Sequence, residues 1–540
     1  MTAGRMTRRS LLVAAGGAVA SGALAHPARV LAVLTGPSTP ALSGRWLGAV
    51  AAGQHTIELA RSADLLGVEW QSPADARLHI RFTDYDGRWS DWVSAGATAH
   101  GPDRQTTRTA LIGESVWTGG TRTVQLRASN PLRGVRMHLI DVSDGVGAHR
   151  AALAADRSPF AKLARSASLA LATPSLQAGP GQPPIVARSA WARGLAHPRV
   201  APEYAVVRLA FVHHTENPNG YLASEVPAML RAIFLFHRDV RGWNDIGYNF
   251  VVDSFGRIFE ARAGGIDEPV VGAHAGGYNL ASTGVAVLGS FASQPISAPA
   301  KLALQRLLAW KLSLHGAPAQ GRVTVRVNPA GAVYSRFPAN ARVALPRIAG
   351  HRDADTTDCP GDALYRELRA IRTNVRRLAP RPVLATLALT RASPVTAPPP
   401  VPGAPPATGT PPQAPAPPTG TAGVSEGLAG RLAFLDGTPI AGASVQIQAR
   451  SVARRGEAVA EQTLAQVQSD AEGRWTLPGS VVPGAGAVSL RALYAGAAAG
   501  AGGPPGAGAA VSDQLVLAGA TLTPAGAPAP TPATAPAPAT

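Results

Sequence analysis

The chain has 540 residues, too many for one hydrophobic core, and 46% of them are hydrophobic, so two to four packed domains are expected and global disorder is excluded. Its formal net charge is +17, carried by arginine, since Lys162, Lys301 and Lys311 are its only lysines. Such charge draws a protein to anionic polymers, but no basic helix, recognition motif or aromatic stacking platform accompanies it, which argues against nucleic acid as a partner. Cys359 is the single cysteine, so no intrachain disulfide can form.

At the N-terminus Arg8 and Arg9 precede an apolar run over residues 11–24, and Ala23-Leu24-Ala25 offers a small-residue cleavage site. Residues 1–32 therefore read as an export signal, and the paired arginines point to the twin-arginine route. No later apolar stretch reaches the roughly 18 residues that span a bilayer, so the mature chain is expected to carry no transmembrane segment and to be secreted.

Residues 45–148 alternate apolar and polar positions at period two, as in Leu78, Ile80 and Phe82 or Val135, Met137 and Leu139, with turn signals between the runs. An N-terminal β-sandwich is expected. Trp70, Trp89, Trp92 and Trp117 fall in or beside these strands; tryptophan in a small β domain fills the core more often than it stacks on sugar. Residues 149–183, rich in Ala, Ser and Pro, read as a linker.

Residues 184–380 interleave strands and helices, the pattern of an α/β domain. The apolar run over 206–212, broken only by Arg208, suits a central strand buried on both faces. Val226, Met229, Leu230, Ile233 and Phe234 recur at helical spacing, as do Leu304, Leu307, Leu308 and Leu312, and then Leu364, Leu368, Ile371 and Val375. Residues 321–345 read as a surface insertion. Proline dominates 381–422, an extended spacer. Alternation returns over 423–520, which suggests a second small β-sandwich, Ig-like or prealbumin-like. Residues 521–540 form an Ala/Pro/Thr tail read as disordered.

The chemistry gathers in the α/β segment. In Gly350-His-Arg-Asp-Ala-Asp-Thr-Thr-Asp-Cys-Pro360, His351 stands eight residues before Cys359. An imidazole and a thiolate on one loop can reach a single metal ion, and these borderline and soft ligands suit zinc. Phe211-Val-His-His-Thr215 offers another histidine, and three protein ligands leave the open position that catalytic zinc keeps for water. Ligation also gives a lone cysteine in an exported chain a reason to be there.

These two motifs, with Arg188-Ser-Ala-Trp191 before them and Trp243-Asn-Asp-Ile-Gly-Tyr-Asn-Phe250 and Val271-Gly-Ala-His-Ala-Gly-Gly-Tyr-Asn279 between them, resemble the zinc N-acetylmuramoyl-L-alanine amidases of type 2, related to peptidoglycan recognition proteins and phage T7 lysozyme. The resemblance covers residues 184–380 and implies a mixed sheet with flanking helices. It assigns Zn2+ to His213, His351 and Cys359. Tyr248 matches the tyrosine that donates towards the metal-bound oxygen, and Thr357 falls where relatives carry threonine or lysine. His214, His274 and Asn279 resemble groove residues that contact the muropeptide, and Asp353 and Asp358 are expected to support the ligands from the loop. The reading that follows is an exported, wall-associated hydrolase that cuts the amide between N-acetylmuramic acid and L-alanine, with peptidoglycan and anionic wall polymers as partners. The alternative is a protein that binds peptidoglycan without hydrolysis, since one fold serves both roles. A third reading is a structural wall protein built on the two β modules.

Overall fold

The computed structural model describes residues 40–142, apart from 74, 85–86, 98–100 and 104–109; residues 182–379; and, further on, 383–391, 426–451, 461–477, 479–483, 488–496, 510–512, 515–517 and 520–524. The export signal, nearly all of the 149–183 linker, residues 392–422 of the spacer and most of the tail lie outside the described residues. Among the described residues no helix is long and apolar enough to cross a membrane.

The N-terminal module has seven strands: β1 (Ala41–Val50), β2 (Gly53–Trp70), β3 (Leu78–Phe82), β4 (Val93–Ser94), β5 (Leu111–Ile112), β6 (Val116–Ala128) and β7 (Leu132–Asp141). Two separate sheets were expected. Instead all seven join one hydrogen-bonded network, in the order β1-β7-β2-β6-β3-β4 with β5 on β2. The long strand β2 makes this possible, because it pairs with β6 along its first part and with β7 over 65–69, with a register break between Glu58 and Leu65. That second part reads Leu65-Leu66-Gly67-Val68 without alternation because both of its faces are covered. Leu66 and Val68 join Trp70, Ile80, Leu126 and Met137 in the module's own core. Leu65 points the other way, where it meets Trp117, Ile140 and Val142 in a core shared with the next domain.

That domain is a six-stranded sheet ordered β15-β9-β12-β10-β11-β8, from β8 (Ile185–Val186), β9 (Leu209–His214), β10 (Phe250–Val252), β11 (Ile258–Glu260), β12 (Ser282–Val287) and β15 (Ile348–Gly350). β15, β9, β12 and β10 run parallel, and β11 is antiparallel to β10. Four helices cover it: α1 (Arg188–Ala192), α2 (Val226–Leu235), α3 (Ala298–Leu314) and α4 (Asp362–Leu378). The predicted stripe Leu364, Leu368, Ile371 and Val375 of α4 is buried beside Leu304, Leu307, Leu308 and Leu312 of α3 on one face of the sheet. Each such side chain contributes about 1.5–3 kcal/mol on burial. On the other face α1 and α2 pack, and through them the N-terminal module.

The segment over 321–345 is more than a surface insertion. It contains the antiparallel hairpin of β13 (Arg322–Arg326) and β14 (Arg342–Pro346), whose alternate residues Val323, Val325, Val343 and Leu345 form a third core with Leu209, Phe211 and Tyr278. In the C-terminal module, strands Val383–Ala385 and Ala388–Arg391 pair with Glu426–Phe434, so residues assigned to the proline-rich spacer belong to a sheet. Ala520–Pro524 pairs with Gly479–Pro483, where the tail was expected to begin. Leu428, Leu432, Val445, Ile447, Trp475 and Leu490 form this module's core.

Candidate metal centre

Strand register brings the two histidines together. β9 and β15 are neighbouring parallel strands in which Gly350 lies opposite Val212, so the next residues, His351 and His213, leave the same sheet edge side by side. Their rings stand 4.5 Å apart between centroids, and both side chains are fully buried. Cys359 arrives from the loop before α4, tied back by Arg352 N–H to its carbonyl at 3.0 Å and by its own N–H to Thr357 Oγ1 at 3.2 Å. The ligand atoms of His213, His351 and Cys359 all lie within 4.8 Å of one another.

Each imidazole is turned by a neighbour. Nε2 of His351 meets Asp355 Oδ2 at 2.9 Å, and Nε2 of His213 meets His274 Nδ1 at 3.1 Å. Nδ1 of His213 stands 3.7 Å from Cys359 Sγ. Both Nε2 atoms are thus engaged, which leaves the Nδ1 atoms for a shared ion, the arrangement in which a group behind the ring fixes tautomer and orientation. Burial pushes the Cys359 thiol well above its ordinary range, and the charges of Glu216 and Glu114 add to the shift. A thiol so placed becomes a thiolate only with a compensating cation nearby, and two imidazoles with one thiolate suit zinc. The residues present therefore fit the metal that the sequence implies.

Tyr248 is 2% exposed, with its ring 5.5 Å from that of His213. Burial, reinforced by Glu114 and Cys359, raises its hydroxyl well above 10, so it remains a neutral donor. Thr357 is half-buried beside the ligand loop.

The three residues that the resemblance assigns to a groove are all buried. His214 is 4% exposed, with Nε2 on Glu216 Oε1 at 2.7 Å and Nδ1 accepting from Phe291 N–H at 3.4 Å. Burial works against ionisation of Glu216, yet His214 and the Ser290 hydroxyl hold its carboxyl below the usual range. His274 is fully buried, its ring pressed against the backbone of Gly272 and Gly284; a Cβ at Gly284 would lie 2.7 Å from its Nδ1. Asn279 is 1% exposed and spans the loop, its Oδ1 accepting from His274 and Ala275 N–H while its Nδ2 donates to Gly101 O and Asp103 Oδ1. Of the two loop carboxylates, Asp353 binds Gly350 N–H and the Tyr365 hydroxyl, and Asp358 is exposed.

The carboxylate behind His351 is Asp355, signalled in the sequence only by its four-residue offset. Sequence reasoning also missed Glu114 and Asp103, which come from the N-terminal module more than 90 residues before the first ligand and carry no local motif. The module is held there by Trp117 N–H to Asn217 Oδ1 at 2.8 Å and by Arg241 Nη2 to Gly113 O at 2.7 Å. Glu114 Oε2 lies 3.9 Å from Arg241 Nη2.

The α/β domain gathers two histidines and a cysteine near the ends of adjacent parallel strands, a cluster that could hold one metal ion. Residues 203–362 match the N-acetylmuramoyl-L-alanine amidase family, Amidase_2, and the chain carries a domain of that family. Residues 27–159 match the Rv3811 N-terminal galactose-binding domain-like family. The chain is 33% identical over 221 residues to an N-acetylmuramoyl-L-alanine amidase of Homo sapiens, covering 40% of this chain but only 33% of that protein. It is 26% identical over 185 residues to peptidoglycan-recognition protein SC2 of Drosophila simulans, covering 84% of it. The structure of Drosophila PGRP-LB aligns with 34% of this chain and 92% of its own, at 26% identity and a TM-score of 0.27.

Proposed function

We propose that the protein is an exported zinc-dependent N-acetylmuramoyl-L-alanine amidase that hydrolyses the amide between the muramic lactyl group and the first L-alanine of the stem peptide. The observation that carries this reading is the convergence of His213, His351 and Cys359 within 4.8 Å, with the neutral Tyr248 hydroxyl beside it. A bound zinc ion would supply the Lewis acidity that activates water and polarises the scissile carbonyl. The chain's own residues do the rest. Asp355 and His274 hold the two imidazoles in the ligating orientation. Tyr248 donates a hydrogen bond to the oxyanion that develops on the carbonyl, and its raised pKa keeps that proton in place. Thr357 fixes the Cys359 backbone, and its hydroxyl can orient water but carries no charge.

A recognition role without hydrolysis is favoured by one observation, that the ligands' imidazoles and Tyr248 are only 0–2% exposed. Cys359→Ser separates the two. A serine hydroxyl is a far poorer zinc ligand than a thiolate, so the amidase reading expects zinc and hydrolysis to be lost while calorimetry still records muropeptide binding. Undiminished hydrolysis in this variant would refute the thiolate–zinc mechanism.

A further inference from the structure

Four hydrogen bonds of one loop have no part in the mechanism above. The 101–103 segment of the N-terminal module inserts between the loop that carries His274 and the tip of the hairpin insertion. Asp103 is 7% exposed, and its Oδ1 accepts from Gly277 N–H at 2.7 Å and Asn279 Nδ2 at 2.9 Å, while Oδ2 accepts from Asn328 Nδ2 at 3.2 Å. Both Asp103 oxygens thus accept, and so does the Gly101 carbonyl, which takes the other Asn279 Nδ2 bond at 2.9 Å. With both neighbours acceptors, the Asn279 amide has one satisfiable orientation. Nδ2 must face them, and Oδ1 must face the N–H groups of His274 and Ala275, at 2.9 and 3.2 Å.

The His274 ring so held has little freedom. A Cβ on Gly272 would lie 2.9 Å from its Nε2, and Gly284 closes the opposite approach. Its Nδ1 stands 3.1 Å from His213 Nε2. For His213 to present a lone pair at Nδ1 towards Cys359, its proton must reside on Nε2, and His274 Nδ1 is then the acceptor that selects this tautomer.

We propose that Asp103 is a positioning residue for the metal ligand His213, acting from the N-terminal module through Asn279 and His274. The metal centre is then a joint product of two modules. This rests on the reading of His213, His351 and Cys359 as zinc ligands, and His213→Ala tests that reading separately.

The experiment uses the full chain as Asp103→Ala, which removes the acceptor, and as Asp103→Asn, which keeps an acceptor oxygen facing Gly277 and Asn279 and serves as the rescue. Zinc affinity is measured by chelator competition, and the visible spectrum is recorded after reconstitution with Co2+. Loss of an outer partner of a ligand typically weakens metal binding about 10–100-fold, and that loss is expected in Asp103→Ala with shifted Co2+ bands, while Asp103→Asn stays near wild type. Gly67→Ala strains the same module interface away from this relay and should leave affinity and spectrum at wild-type values. Wild-type affinity and spectrum in Asp103→Ala, even with a lower melting temperature, would overturn the proposal. So would an equal loss in Gly67→Ala. If His213→Ala keeps stoichiometric zinc, it is the ligand assignment that fails.

Discussion

Gly67 sits in β2 of the N-terminal module, and a Cβ built on it would fall 2.5 Å from Cζ of Phe236, the first residue after α2 in the amidase domain. Carbon atoms in contact prefer about 3.5–4.0 Å, so Gly67→Ala intrudes by about 1 Å on a ring that is itself fully buried. Overpacking of this kind costs about 1–3 kcal/mol. A cooperative unit of this size loses about 2–4 °C of melting temperature per kcal/mol, so a fall of about 2–12 °C is expected. In an undocked module the sign reverses. Gly67 has an ordinary backbone conformation, and alanine in a strand is favoured over glycine by about 0.5–1 kcal/mol. Calorimetry of the full chain reads the difference, and Phe236→Leu, which replaces the ring with a shorter side chain, should make the alanine tolerable in the double variant. A neutral or stabilising Gly67→Ala would refute the shared core, and with it the claim that the two modules melt as one.

Asp355→Ala should weaken zinc about 10–100-fold by chelator competition, since it frees the His351 ring; unchanged affinity would remove Asp355 from the site. Tyr248→Phe should lower kcat about 100–1,000-fold with zinc content unchanged, and an unaffected kcat would place the oxyanion donor elsewhere. Burial pushes Asp64 up to about 7 while its Oδ2 accepts from Val142 N–H at 2.9 Å. The folded chain therefore holds this proton after the unfolded chain has released it, and stability should fall as pH rises from about 4 to about 7. Asp64→Asn keeps the acceptor and removes the charge, so thermal melts at pH 5 and pH 8 should converge; an unchanged slope would assign the effect to another group.

The α/β domain was legible because its helices carry uninterrupted apolar stripes and its central strand a continuous apolar run, patterns set by burial within one segment. The cluster of His213, His351 and Cys359 was legible because each sits in a short motif: His213 at a strand end, His351 and Cys359 on one loop. What the sequence concealed depends on contacts between segments. Leu65 and Leu66 read alike, yet one faces the module's own core and the other does not, because a second domain covers the outer face. The resemblance places His274 and Asn279 in a groove but gives no sign that they are buried, because the residue that packs on Asn279, Asp103, comes 176 residues earlier in the chain. The spacer boundary failed for a related reason: residues 383–391 precede the prolines, and their pairing partner begins at Glu426.

The central claim is chemical, that this site hydrolyses the lactyl–alanine amide, and the most direct measurement is mass spectrometry of soluble muropeptide incubated with the zinc-loaded full chain. The account predicts stem peptides with a free L-alanine amino group and muramic sugars with a free lactyl carboxyl, both absent with Cys359→Ser. Muropeptide recovered intact from a chain that binds it and holds one zinc would contradict the account.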